Sequence, residues 1–295
     1  MLCLSSTGRV KCPPLMAQNN PTAGSQWLAQ FDGVSPLVRH RALLWQFIQR
    51  NVELRHKGSH LGLIWSILNP LLMLGLYVFV FGYVFGGKAH DQSPETYALS
   101  IFVGLSIFHF IAEVLGVAPT VIVANPNFVK KVVFPLEILP VAAVGASFVH
   151  FLISISLALI GVALLGPGLR WNVLWLPLIF TPFLLLTLGV AWAAAAIGVF
   201  FRDVTQFTGF LTMSLMFASA IFYPATMIIE KSPAAWNILQ FNPLIHTIEL
   251  SRDVILRHQP LTLGPLAYLY CISIATAVAG YWIFHKLRPA FADVL

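Results

Sequence analysis

Five stretches of the sequence, 58–87, 138–169, 171–201, 207–229 and 258–285, contain no Asp, Glu, Lys or Arg, and a sixth, 96–129, contains only Glu113. About 20 apolar residues in a helix cross the ~30 Å hydrocarbon core of a bilayer, so each stretch is long enough to span one. A chain inside lipid must satisfy its own backbone, which leaves helices and closed barrels. Barrel strands alternate apolar and polar residues over about ten positions, and these stretches do not alternate. The sequence therefore predicts an all-α polytopic membrane protein with six transmembrane helices, over about 61–86, 97–124, 138–166, 173–201, 207–229 and 265–285. Composition points the same way: 9% of residues are charged, against about 25% in soluble domains.

Orientation follows from Lys and Arg in the connections. With the N-terminal end inside, only Lys88, Arg170, Lys231, Arg252 and Arg257 face outward, and the other 12 of the 17 basic residues face the cytoplasm. Both ends of the chain are thus expected to be cytoplasmic, in a bacterial inner membrane once the resemblance below is taken into account. The same asymmetry accounts for the net charge of +6 without invoking nucleic acid. Cys3, Cys12 and Cys271 fit neither a disulfide framework nor metal-ligand spacing.

Residues 1–34 form a polar tail of disordered composition. Residues 35–57 form an amphipathic interface helix, capped by Ser35 with Pro36 next, with Val38, Ala42, Trp45, Ile48 and Val52 on one stripe. A six-span domain over 58–288 follows, then a cytoplasmic stretch 289–295. Between the second and third spans lies the basic, aromatic segment 125–137, NPNFVKKVVFPLE. Phe128 and Phe134 beside Lys130 and Lys131 are too apolar for a tether and have the character of a docking element. Between the fifth and sixth spans, two short helices over 233–257 are expected in the outer leaflet, the second capped by Asn242 with Pro243 following.

Few residues offer chemistry. Gly82 to Lys88, GYVFGGK, matches the first part of a phosphate-binding loop, but Ala89 stands where Ser or Thr would hold magnesium and the segment ends a span. Glu113 is the sole carboxylate deep within a span, and such groups are candidates for function. His109 lies one turn before it, close enough to pair on the same face, and His150 of the third span is a further partner. A proton relay and a hydrogen-bonded structural pair are both open; a relay normally needs a longer chain of titratable groups. The charges crowding 246–258 are those of a solvated face, without a nucleophile-and-base pattern. No catalytic, cofactor or metal site is expected in this chain. Tyr77, Phe81 and Tyr83 are aromatics on which sugar rings could stack along a path.

Taken together, RHKGSHLGLIWSILNPLL, LYVFVFGYVFG, NPNFVKKVVFPLEILPV, GVFFRDV and FNPLIHTIELSRDVIL resemble the type-2 ABC exporter permeases of the O-antigen and surface-polysaccharide group, with teichoic-acid and capsule permeases as relatives. The resemblance covers about 36–288. It implies a homodimer of six-span subunits, two copies of a separate ATPase that brings the ATP and magnesium, and a polyprenyl-diphosphate-linked glycan as cargo. It makes Phe128, Lys130, Lys131 and Phe134 coupling positions and 233–257 outer gate helices. It also places Arg55, Lys57 and Gly58 at the cytoplasmic shoulder where the lipid diphosphate is admitted. Arg offers a fork suited to phosphate; plain positive-inside anchoring is the other reading of these cations. Two other classes compete: a proton-coupled lipid flippase using Glu113, which would usually show a repeated fold, and an integral lipid-modifying enzyme.

Overall fold

The computed structural model describes residues 40–56, 64–84, 93–130 and 134–295. The tail 1–34, the cap at Ser35, and Lys57, Gly58 and Lys131 lie outside these residues, as do the side chains of Phe81 and Tyr83. Among the described residues there are helices and no strands. In chain order they are α1 (Arg41–His56), α2 (Trp65–Tyr77, continuing as a π-helical stretch Val78–Val84), α3 (Pro94–Val117), α4 (Pro126–Lys130), α5 (Ile138–Leu165) and α6 (Leu176–Phe200). After these come α7 (Val204–Ala218), α8 (Ala225–Lys231), α9 (Pro233–Leu239), α10 (Pro243–Ile255), α11 (Leu263–Leu287) and α12 (Phe291–Val294).

Among the described residues, four helical stretches are long and apolar enough to cross a membrane: Pro94–Thr120, Ile138–Leu165, Trp171–Phe200 and Leu263–Val294. Trp65–Val80 and Val204–Ala218 are apolar but shorter. The protein is thus a polytopic all-α membrane protein. The run 207–229, expected as one span, is divided. The 15 residues of α7 reach about 22 Å at 1.5 Å per residue, and irregular backbone with Ala220 at φ 51° separates it from α8.

Helix ends follow local chemistry. Ser93 caps α3, its Oγ accepting from Thr96 N at 3.3 Å, with Pro94 at the first position. Asn242 caps α10, its Oδ1 accepting from Leu244 N at 3.0 Å. The turn between α5 and α6 places Gly168 at φ 87°, which only glycine adopts freely, and its N–H donates to the Val162 carbonyl at 3.2 Å.

Packing is tightest between α6 and α11. A Cβ on Gly280 would overlap the carbonyl of Gly189, and one on Gly189 would overlap the carbonyl of Thr276. Small residues let membrane helices approach to this distance, where dispersion replaces the absent hydrophobic drive. Next to this pair, Phe110 of α3 meets Phe148 and Phe151 of α5 and Phe183 of α6 at ring distances of 5.4 to 5.8 Å. In contrast, α2 buries none of its residues and α7 only Thr208.

The interface helix α1 packs along α5, where Ile48 fills the space left by Gly145. Its protein-facing stripe is rotated from the expected one. Phe47 is buried, whereas Trp45, assigned to the apolar stripe by periodicity, is 57% exposed. The cause is the ring cluster described below, which draws Phe47 inward and leaves Trp45 and Leu54 facing out. Overpacking a closed helix contact costs about 1–3 kcal/mol. Gly280→Leu should therefore lower the thermal midpoint of the detergent-solubilised protein by several degrees, whereas Gly264→Leu, where a side chain meets nothing, should leave it unchanged.

Candidate functional site

Three helices meet at one charge cluster. Glu113, near the end of α3, forms an ion pair with Arg55 of α1 through its Oε1. Arg55 also donates from Nη2 to Ser147 Oγ at 3.2 Å, and its Nη1 lies 2.7 Å from His150 Nδ1. His150 Nδ1 lies 3.6 Å from Glu113 Oε1. Ser147 and His150 are three residues apart on α5 and so share a face. A carboxylate this deep in an apolar helix needs a cation, and the planar guanidinium reaches several acceptors at once. The structure brings Arg55, Glu113 and His150 together; His109, one turn before Glu113 and within electrostatic reach of it, is exposed beside the ring of Phe108 at 5.7 Å.

At the same end of the bundle, the basic segment is built on three rings. Phe128 of α4 and Phe134 lie 4.8 Å apart, and both lie 5.5 Å from Phe47 of α1. Lys130 donates to the carbonyl of Leu295. Tyr77 is half-buried against the main core.

The opposite end is organised by Arg252 of α10, only 2% exposed. It donates to the carbonyls of Ala220 at 2.8 Å, Ile221 at 2.5 Å and Ser100 at 3.2 Å, and to Glu249 Oε1 at 3.0 Å. Asn242 Nδ2 takes the Ala218 carbonyl at 3.0 Å. Carbonyls freed where α7 stops would otherwise be orphaned in an apolar setting, and these two side chains accommodate them. Arg257 closes the network on Glu249 Oε2 at 2.9 Å and Asp253 Oδ1 at 2.6 Å. Burial depresses the Arg252 guanidinium, with Glu249 opposing, and burial pushes the Asp253 carboxyl up. A cleft of about 590 Å³ beside this network is lined by Tyr97, Tyr223, Trp236 and Glu249 among others. Sequence reasoning treated these charges as a solvated face. The buried role of Arg252 had little local signal, because apart from Glu249 its partners are backbone carbonyls of α3 and of the segment after α7.

The sequence signature of the ABC-2 type transporter family matches residues 42–256, most of the chain and both ends of this architecture. The chain belongs to the ABC-2 type transporter family. Members of this family are transport subunits, and ATP hydrolysis resides in a separate subunit. This ABC-2 chain is similar to the O-antigen export system permease protein RfbA of Klebsiella pneumoniae, 31% identical over 256 residues, covering 86% of this chain and 95% of the relative. RfbA of Myxococcus xanthus is 29% identical over 260 residues, covering 88% and 98%. The polysialic acid transport protein KpsM of Escherichia coli is 26% identical over 243 residues, covering 82% and 92%.

Removing one partner of a shielded ion pair leaves the other uncompensated. Arg55→Gln should destabilise this ABC-2 chain by about 2 kcal/mol, since it leaves the Glu113 carboxylate without its cation in an apolar helix. Glu113→Gln should cost less, because Arg55 can redirect its long side chain toward the headgroups. The double variant should recover most of the loss, read as the thermal midpoint in detergent.

Proposed function

We propose that this chain is the membrane permease subunit of an ATP-driven exporter that moves a lipid-linked polysaccharide of the O-antigen type across the bacterial inner membrane. The observation that carries the reading is near-complete coverage of two export permeases at about 30% identity. It is supported by a structure with helices long and apolar enough to cross a membrane.

In this reading α2 and α7 are the remaining two of six spans, and the subunit works as a homodimer with its ends in the cytoplasm. Both helices present apolar side chains without covering them: Leu72, Leu76 and Phe79 on α2 and its extension, and Phe207, Phe210 and Phe217 on α7. A second copy placed there would bury these faces and enclose a path for the glycan, with Tyr77, Phe81 and Tyr83 as its stacking aromatics. The helices α9 and α10 would form its outer gate.

The segment 125–137 would receive the ATPase, with Phe128, Lys130, Lys131 and Phe134 as coupling positions. Because Phe128 and Phe134 share their ring cluster with Phe47, closure of the ATPase would move α1 together with the segment. Replacing both Phe128 and Phe134 with Ala should abolish co-purification of the ATPase and surface glycan, with membrane insertion intact. Normal yields of both would remove the coupling assignment.

Arg55, Lys57 and Gly58 would admit the lipid diphosphate. Glu113 holds Arg55 in the ground state, so a diphosphate would compete with that carboxylate for the same guanidinium. The double variant Arg55→Gln/Glu113→Gln separates the roles, since it keeps the fold while removing the cation. Export should fall at least about tenfold, the worth of a charge-assisted contact. Wild-type export in that variant would mean that Arg55 serves only as the counter-ion of Glu113.

A further inference from the structure

A second charge pair lies where the basic segment ends, and no role proposed above uses it. Glu137 immediately precedes α5 and is 2% exposed. Its Oε1 accepts from Arg288 Nη1 at 2.5 Å, its carbonyl accepts from Trp192 Nε1 at 3.4 Å, and its Oε2 has no hydrogen-bond partner among the described residues. Arg288 stands one residue beyond α11, in the turn Arg288–Ala290 that leads to α12. Phe291 of α12 is fully buried, against Phe284 of α11 at 5.6 Å and Phe200 of α6 at 6.0 Å. Lys130 meets Leu295 at the far end of the same stretch.

Among the described residues, a groove of about 390 Å³ between these attachments is lined by Phe128, Phe134 and Leu136 and by His285, Pro289 and Ala292. Beside this groove, the Glu137–Arg288 pair and the contact of Lys130 with Leu295 tie the basic segment to the foot of α11. An apolar pair would hold a passive joint as well or better, since burying a carboxylate carries a desolvation cost that pairing often only balances. A charge-assisted hydrogen bond, in return, fixes direction and distance.

We propose that Glu137 and Arg288 are positioning residues, forming a pin through which displacement of the basic segment is delivered to α11. The glycine contact at Gly189 and Gly280 makes α6 and α11 one rigid pair, so a pull on the foot of α11 moves α6 with it. The strap 288–295, plugged by Phe291, keeps the pin at the base of both helices. This inference rests on the reading that 125–137 receives the ATPase, and adds the route by which the motion reaches α6 and α11.

The test uses the permease reconstituted with its ATPase in vesicles, measuring complex yield, ATP turnover and glycan exported per ATP. Arg288→Met alone strands the Glu137 carboxylate and confounds folding with coupling, so the decisive variant is Glu137→Gln/Arg288→Met, which removes both charges. Its thermal midpoint and complex yield should match wild type and ATP turnover should continue, while glycan exported per ATP falls about tenfold, the scale of one lost charge-assisted bond. Arg288→Lys, which keeps the charge, should stay within about twofold of wild type. A double variant that exports at the wild-type ratio overturns the pin. So does one that folds but no longer binds the ATPase, because the pair would then belong to the docking surface. If Phe128→Ala/Phe134→Ala binds ATPase and exports normally, it is the coupling reading itself that fails, whatever the pin variants do.

Discussion

Inside a bilayer no water is available to complete a hydrogen bond or shield a charge, so every polar group placed there must find its partner within the protein. Three arrangements in this chain answer that demand, each joining elements far apart in sequence. Glu113 of α3 takes Arg55 of α1. Glu137, at the start of α5, takes Arg288 beyond α11. Arg252 of α10 takes backbone carbonyls from the segment after α7 and from α3. These contacts sit at the two ends of the bundle, and they fix how the short elements there attach to the long helices. The aromatic and glycine packing of α3, α5, α6 and α11 fills the middle.

The interruption after Ala218 shows what such a contact permits. An apolar run of 23 residues at 207–229 would be expected to remain helical across the membrane, because stopping leaves carbonyls unpaired. Arg252 and Asn242 supply four donor contacts there, to the Ala218, Ala220 and Ile221 carbonyls and to Ser219 Oγ. With these in place the chain can turn at Ala220 and lay α8, α9 and α10 across the end of the bundle. The break is a property of α10 as much as of α7.

That dependence also explains which parts of the molecule were legible in its sequence. Helix class, four of the long helices, the caps at Asn242 and the Gly168 turn follow from run length and local chemistry, and those signals lie within a few residues of the features they specify. Family membership was legible from the motif string around the basic segment and the first apolar run. Pairings were legible only in part. Helical spacing identifies neighbours three and four residues away, so it offered His109 to Glu113, and His150 of the third span stood as a further partner; the structure places His150 beside Glu113 and adds Arg55 from α1, which spacing did not offer. The same limitation hid the pairing of Glu137 with Arg288, since Glu137 reads locally as the charged end of a loop, and the contacts of Arg252 other than Glu249, which are carbonyls that no side-chain pattern records. In α1, periodicity chose the stripe through Trp45, but the rings of Phe128 and Phe134, contributed by a distant segment, selected Phe47 instead.

The packing divides the helices into two sets with different mechanical character. The set α3, α5, α6 and α11 is held by buried rings and by backbone contact at glycine, arrangements that do not deform gradually. The helices α2 and α7 fully bury almost nothing within the subunit and touch the core through partly buried residues such as Leu74, Tyr77, Leu211 and Met216. The helix α1 is attached at its middle to the basic segment through Phe47 and at its end to α3 and α5 through Arg55. It leads directly into the residues before α2. In the coupling reading proposed above, a displacement of the basic segment has two outlets: through α1 toward α2, and through Glu137 and Arg288 toward α6 and α11. Movement of a loose helix against a fixed core is the hinge-and-shear form of domain change, and it requires that the core be driven or braced at the same moment as the loose element is pulled. Two attachments on one short segment meet that requirement, since neither outlet can be displaced without loading the other.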